Sequence, residues 1–227
     1  LQNRVQGCDF MEEDWDNLLI LDACRYDMFE RLNEVPGTLQ SRRSNGSATR
    51  EFVNNTFVGK TFHDTVYVTA NPFVSMDAGD TFHATVDLWR TDWNDEFGTV
   101  EPDVVTEAVL AASDRYPNKR LVGHFIQPHH PFIGPTGQAE ITESAGNTVA
   151  RWRAMKDKDR PEDTPDTAWS LARRGEVELD TLRQAYEENL ELALSGVQTL
   201  VDELCGQTVV TSDHGNLINE PAYGVLS

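Results

Sequence analysis

Short apolar runs that end in polar residues recur along the chain and predict the strands of one sheet. Residues 17–22 form such a run that ends in Asp22, and residues 207–213 form another that ends in Asp213. Residues 65–70 and 120–127 are two further segments of this kind. Apolar runs bounded by turn signals are typical of strands that are buried on both faces.

Segments with helical spacing of apolar positions separate these runs. The spacing predicts helices at 25–32, 48–57, 101–115 and 181–204. Residues 76–99 are rich in Asp, Gly and Trp and predict irregular structure. Alternating strands and helices predict an α/β fold, which we expect to be a three-layer α/β/α sandwich around a mostly parallel central sheet.

A single domain over 1–227 accounts for the length of the chain. Residues 134–168 combine Gly, Pro, Thr and many charges, which predicts a surface insertion or lid. No apolar stretch has the length of a membrane span, and no signal-peptide pattern opens the chain. Because the chain begins at Leu1 rather than at Met, a missing leader or anchor stays open.

The net charge of −19 is spread along the whole chain, and lysine occurs only at positions 60, 119, 156 and 158. An ordinary solvated surface and a surface that repels nucleic acid are two interpretations. We favour a third, adaptation to high salt, where screening removes the self-repulsion of the charges. It predicts a cytoplasmic protein of a high-salt organism, or an extracytoplasmic one if a leader is missing. No basic face for nucleic acid is visible.

Metal-ligand residue types stand at the ends of two predicted strands. If these strands are neighbours in one sheet, Asp22, Asp213 and His214 converge on one point. Carboxylate with imidazole suits Zn or Mn, and carboxylate alone suits Mg or Ca. The alternative is that the two aspartates cap the helices that follow them.

Ser47 ends a polar turn at 41–47, directly before the predicted helix at 48–57. The N-terminus of a helix favours an anionic ester, and a cation could lower the pKa of the Ser47 hydroxyl while taking its Oγ as a ligand. The alternative is that Ser47 or Thr49 is only a helix cap. Ser47 is our preferred nucleophile, and Thr49 stays open.

Three histidines lie in or directly after the predicted strand at 120–127. His124, His129 and His130 could ligate a second metal, hold an anion or protonate a leaving group. The alternative makes His124 a core residue and His129 a solvated loop residue. We expect this alternative for His129 and keep His130 as a catalytic candidate. Arg25 could bind an anionic group, or it could form an ion pair with a nearby aspartate.

Four segments carry a family resemblance: LILDACRYD at 19–27, GSATREF at 46–52, HHPF at 129–132 and SDHG at 212–215. Together they resemble the alkaline phosphatase and sulfatase superfamily, in particular sulfatase-like proteins of haloarchaea. The resemblance implies an alkaline phosphatase-like fold and one divalent cation of Zn, Mn, Mg or Ca. It further implies the following site: Asp22, Ser47, Asp213 and His214 on the cation, Ser47 as the nucleophile, and His130 on the substrate anion.

The chain departs from the family pattern in three ways. It has Ser-Ala-Thr-Arg at 47–50 in place of the Cys-x-Pro-Ser-Arg of formylglycine sulfatases, which is closer to the phosphatase, phosphodiesterase and phosphotransferase branches. It lacks the Asp-x-x-x-His pair of several two-metal members, which favours one metal. It also ends soon after His214, where family members usually continue, so we expect truncation at the C-terminus.

The sequence therefore predicts a metal-dependent hydrolase or transferase that acts on a phosphate or sulfate ester through a covalent seryl intermediate. The expected partner is an anionic ester of a small molecule, a glycan or a lipid. A sulfatase proper is one alternative. A superfamily member that binds a metal or an anion without turnover is an alternative of another class.

Overall fold

The computed structural model describes residues 7–141, 151 and 167–218, and a five-stranded sheet forms its centre. The strands are β1 (Asn17–Leu21), β2 (Phe62–Thr69), β3 (Phe82–Asp87), β4 (Arg120–Phe125) and β5 (Thr208–Thr211). Their order in the sheet is β3-β2-β4-β1-β5, and all neighbouring pairs are parallel. The predicted α/β class is confirmed.

Helices cover both faces of this sheet. They are α1 (Tyr26–Leu32), α2 (Thr49–Thr56), α3 (Pro72–Ala78), α4 (Leu88–Thr91), α5 (Pro102–Arg115), α6 (Pro135–Glu140), α7 (Ala168–Arg173) and α8 (Leu179–Glu203). Helices α2 and α3 pack on one face, while α1, α5 and α8 pack on the other. The three-layer α/β/α sandwich is therefore confirmed.

Strand β1 lies in the middle layer with all five side chains buried. Leu19 and Leu21 point into the larger core with α5 and α8, and Leu18 and Ile20 point into the smaller core with α2 and α3. Side chains of a strand alternate between faces, so a strand covered on both faces has to be apolar throughout. This burial fixes where β1 ends and so where Asp22 stands.

The prediction of irregular structure over 76–99 is wrong, because this segment contains the end of α3, all of β3 and α4. Strand β3 is an edge strand, and most of its side chains are only half-buried. Such a strand does not need a continuous apolar run, and its sequence, FHATVD, lacks one.

The predicted insertion at 134–168 lies mostly outside the described residues. Its described part begins with α6, which packs against α8. Among the described residues, no helix is both long enough and apolar enough to cross a membrane.

Candidate metal centre

The sheet topology brings the polar ends of three strands together. Strand β1 pairs with β5 on one side and with β4 on the other, so Ile20 lies opposite both Thr211 and His124. Asp22 follows β1 directly, and Asp213 follows β5 after one residue. Because parallel strands end at one edge of a sheet, these side chains meet there.

Asp22, His124 and Asp213 form a buried cluster that could hold a metal ion. Each residue offers a ligand atom, and these atoms lie within 4.8 Å of one another. Nε2 of His124 and Oδ2 of Asp213 have no hydrogen-bond partner among the described residues. Leaving a buried polar atom unpaired costs about 1–3 kcal/mol, so this donor set fits a cation that would satisfy both atoms.

His214 and Thr49 border this cluster. Nε2 of His214 lies 3.5 Å from Oδ1 of Asp22 and 3.7 Å from Oδ2 of Asp213. Thr49 is buried as the first residue of α2, and its Oγ1 lies 3.2 Å from Oδ2 of Asp22. The same hydroxyl lies 3.4 Å from Nε2 of His214. A hydroxyl at a helix N-terminus thus faces two metal-ligand side chains.

Ser47, our preferred nucleophile and a predicted ligand, does not reach the cluster. Its side chain is exposed, and both its N–H and its Oγ bond to the Glu51 carboxylate at 2.8 Å. The helix begins at Thr49 rather than at Ala48, and this start directs the Thr49 hydroxyl inward. The structure therefore puts Thr49 where Ser47 was expected.

Two buried side chains orient the metal-ligand residues. The amide of Asn71 donates to Oδ2 of Asp22 at 2.7 Å, while its carbonyl caps α3 by accepting from the N–H of Phe73. The Tyr67 hydroxyl lies 3.0 Å from Nδ1 of His124. Occupying Nδ1 in this way leaves Nε2 of His124 facing Asp22, at 3.9 Å from its Oδ2.

A tight turn after β1 holds Asp213. Ala23 adopts a left-handed conformation with φ of 61°, and its N–H donates to Oδ1 of Asp213 at 2.8 Å. This conformation costs a non-glycine residue about 1–2 kcal/mol and persists only where the surroundings impose it. The N–H of His214 donates to the same oxygen at 2.8 Å. Helix α1 has Arg25 at its N-cap, so neither aspartate is a cap of that helix.

The two buried carboxylates set the protonation of the cluster. Burial raises the pKa of Asp22, but the charge of His129, together with the hydrogen bond and the charge of His214, outweighs burial and lowers it overall. Burial and the charge of Asp22 raise the pKa of Asp213 to about 7. Burial lowers the pKa of His214, yet its hydrogen bond to Asp22 and the charge of Asp213 raise it to about 9 overall.

Burial also lowers the pKa of His124 to about 4, which keeps its imidazole neutral at pH 7. A neutral imidazole is the form that binds a metal. Without a cation, protons on Asp213 and His214 offset the two carboxylates, and a divalent ion would replace those protons.

His129 and His130 lie beside the cluster. His129 was expected to be solvated but is half-buried, with its backbone N–H bonded to the carbonyl of Asp22 at 3.1 Å. Its ring stacks on the ring of His130 at 4.2 Å between centroids. His130 is buried and also packs against Phe132 and Trp169, and burial lowers its pKa well below the ordinary value.

Arg25 forms the ion pair that was its alternative interpretation. Its guanidinium contacts both carboxylate oxygens of Asp27, at 2.9 and 2.8 Å. It also donates to the carbonyl of Asn216 at 2.8 Å. The charge of Arg25 is therefore partly neutralised by Asp27.

A cleft of about 750 Å³ opens beside the cluster. His214, Gly215 and Ser47 line it, together with β5, Arg25 and the loop at 38–46. The cleft reaches the end of β5 and His214, whereas Thr49 and the three residues of the buried cluster are not among the described residues that line it. Comparisons of the chain with models of known families, with curated proteins and with solved structures found no match.

Three residues of the site were not found from the sequence. His124 was weighed as a ligand of a second metal, as a group that holds an anion or protonates a leaving group, or as a core residue, but not as a ligand beside Asp22 and Asp213; Tyr67 and Asn71 were not considered as site residues. The one available signal was the polar character of His124 in an otherwise apolar strand. A polar residue in a strand indicates a ligand only when it is known which strands lie beside that strand in the sheet.

Proposed function

We propose that this protein is a metal-dependent hydrolase or transferase that acts on a phosphate or sulfate ester, with Thr49 as its nucleophile. The observation that carries the proposal is the Thr49 hydroxyl, which lies 3.2 Å from Asp22 at the first residue of a helix. A hydroxyl becomes an effective nucleophile only where a base or a metal lowers its pKa. The adjoining cluster is suited to hold such a metal.

Asp22, His124 and Asp213 would hold one divalent cation, with His214 as a fourth ligand. Two carboxylates and two imidazoles favour Zn or Mn over Mg or Ca. When bound, the cation supplies a lowered pKa for a nearby hydroxyl and polarises an oxygen of the ester.

The chain's own groups would position the reaction. The Thr49 oxygen attacks phosphorus or sulfur in line, the bond to the leaving alkoxide breaks, and the hydroxyl proton passes to water. Water protonates the alkoxide. A second water, or an acceptor alcohol, then attacks phosphorus or sulfur and breaks its bond to Thr49, which regains its proton. The N–H groups of the first turn of α2 favour the negative charge on the transferring group.

Thr49 also bears on the choice between a plain hydroxyl and formylglycine. Formylglycine is an aldehyde, and the β-carbon of threonine carries a methyl group that prevents this oxidation product. Since Thr49 rather than Ser47 faces the cluster, we favour an unmodified hydroxyl. The phosphatase, phosphodiesterase and phosphotransferase reactions fit that nucleophile.

The test compares a phosphate diester, a phosphate monoester and a sulfate ester of one chromophore, each with the protein loaded with Zn, Mn, Mg or Ca. Rapid acid quenching and peptide mass spectrometry would locate the covalent ester. We expect turnover of one ester and a modified Thr49. Full metal occupancy without turnover of any ester would refute the proposal and favour a binding protein.

A further inference from the structure

The loop that carries Arg42 and Arg43 is fixed against the metal centre. The hydroxyl of Ser44 donates to the backbone carbonyl of Asp213, and the N–H of Gly46 donates to the Ser44 hydroxyl at 3.1 Å. The N–H of Cys8 donates to the carbonyl of Arg43 at 2.9 Å. The backbone beside both arginines is thus tied to the segment that presents Asp213 and His214.

Among the residues that the structure describes, no carboxylate pairs with the guanidinium groups of Arg42 and Arg43. Arg42 donates to the amide oxygen of Gln40 at 2.8 Å, and neither Arg42 nor Arg43 forms an ion pair within the described parts of the chain. Both side chains are exposed and line the cleft that His214 also lines.

The charge of this cleft is opposite to that of the chain as a whole. The chain carries a net charge of −19, yet among the described residues that line the cleft Arg42 and Arg43 are accompanied by one carboxylate outside the Arg25–Asp27 ion pair, that of Glu13. The remaining pair, Arg25 and Asp27, neutralises itself. Adjacent arginines in a concave surface form a local positive field, and guanidinium groups bind oxyanions through paired N–H bonds.

We propose that Arg42 and Arg43 form a second anion site, which binds a phosphate or sulfate group of the substrate other than the one transferred at Thr49. The substrate class is then an ester that carries a second oxyanion, rather than a simple monoanionic ester. This substrate class rests on the proposed function, whereas the anion site itself does not.

The anion site can be tested without catalysis. Metal-free protein is titrated with inorganic pyrophosphate by calorimetry at constant ionic strength, because a metal ion at the cluster would itself attract this anion. The test variant is Arg42→Gln/Arg43→Gln. The control is Arg115→Gln/Arg183→Gln, which removes the same charge from exposed positions on α5 and α8.

We expect pyrophosphate to bind the wild type and the control equally, and at least about tenfold more weakly to the test variant, as loss of charge-assisted hydrogen bonds implies. Equal affinity in all three proteins, or no binding by the wild type, would overturn the anion site. Circular dichroism of the three proteins establishes that the variants are folded.

A second measurement concerns the substrate class. We take an ester that the wild type turns over and prepare it with and without a second phosphate group. The kcat/KM for the ester with the second phosphate, divided by that for the ester without it, should be about tenfold lower in the test variant than in the wild type. An unchanged ratio would overturn the assignment of substrate class. Arginine-dependent pyrophosphate binding in a protein that turns over no ester would refute the proposed function and leave the anion site standing.

Discussion

Oγ1 of Thr49 lies 3.2 Å from Oδ2 of Asp22, which joins the first residue of α2 to the residue that follows β1. Ser47 precedes Thr49 by two positions, yet it bonds to Glu51 at the surface. One turn of chain thus contains two hydroxyls, and only that of Thr49 faces the metal-ligand side chains.

The first expectation concerns this pair of hydroxyls. Thr49→Ala should lower kcat for the preferred ester by at least about 10³-fold, because it removes the attacking oxygen. Thr49→Ser keeps the oxygen and should retain most of the activity, whereas Ser47→Ala should leave it unchanged. Steady-state kinetics of the three variants checks this, and loss of activity in Ser47→Ala alone would restore Ser47 as the nucleophile.

The end of strand β1 was predictable from the sequence because burial on both faces leaves little choice of residue. Strand β1 has to be apolar, so the charge of Asp22 stands out where the strand ends. Strand β5 is itself an edge strand with half-buried side chains, and Asp213 and His214 were found there because its sequence, TVVT, consists of β-branched residues. Strand β3 was not predicted, because an edge strand with half-buried side chains tolerates polar residues and β3 has no continuous apolar run.

The remaining residues of the site depend on pairings that the sequence does not contain. His124 becomes a candidate ligand of the same metal as Asp22 and Asp213 only because β4 lies beside β1, and Tyr67 can contact His124 only because β2 lies beside β4. The choice between Ser47 and Thr49 depends on where α2 begins. Each residue turns a helix by about 100°, so a shift of two positions turns a side chain to another face.

Tyr67 gives a second test, directed at the orientation of His124. Tyr67→Phe removes the hydroxyl that lies 3.0 Å from Nδ1 of His124, and we expect affinity for Zn or Mn to fall by about 10–100-fold. Tyr26→Phe is the control, because Tyr26 is exposed and bonds only to Glu30 among the described residues. Equal affinity in both variants would show that Tyr67 does not orient a ligand.

Metal affinity should also depend on pH. A metal must displace the protons that Asp213 and His214 hold with pKa values of about 7 and about 9. Affinity should therefore rise as pH increases from 6 to 9, with proton release on binding. Calorimetry in buffers of different ionisation enthalpy measures that release, and affinity that does not vary over this range would contradict the assignment.

The same pKa values determine how the metal-free protein responds to pH. The pKa of His214 is raised on folding, so its contribution to stability is complete below its ordinary value of 6.5 and lost as pH rises through about 9. The pKa of Asp213 is also raised on folding, so its contribution to stability is complete below its ordinary value of 3.8 and lost as pH rises through about 7. Urea unfolding should show stability falling from pH 6 to 9 without metal, and a smaller fall with metal.

The smaller core offers a test of the fold itself. Phe57 is fully buried between α2 and the sheet, and its ring contacts those of Phe82 and Tyr67 at 5.2 and 5.6 Å between centroids. Phe57→Ala should lower the free energy of unfolding by about 3–5 kcal/mol, through lost burial and the cavity that remains. Val58→Ala, at an exposed position, should change it by less than about 0.5 kcal/mol.

The most direct test of the central claim is metal content, measured by elemental analysis after soaking in Zn, Mn, Mg or Ca and dialysis in high salt. The wild type should retain close to one ion per chain, and Asp213→Asn should retain none. Asp14→Asn, which removes the same charge at an exposed position, should behave as the wild type. Absence of metal from the wild type, or equal retention by Asp213→Asn, would contradict a metal centre at Asp22, His124 and Asp213.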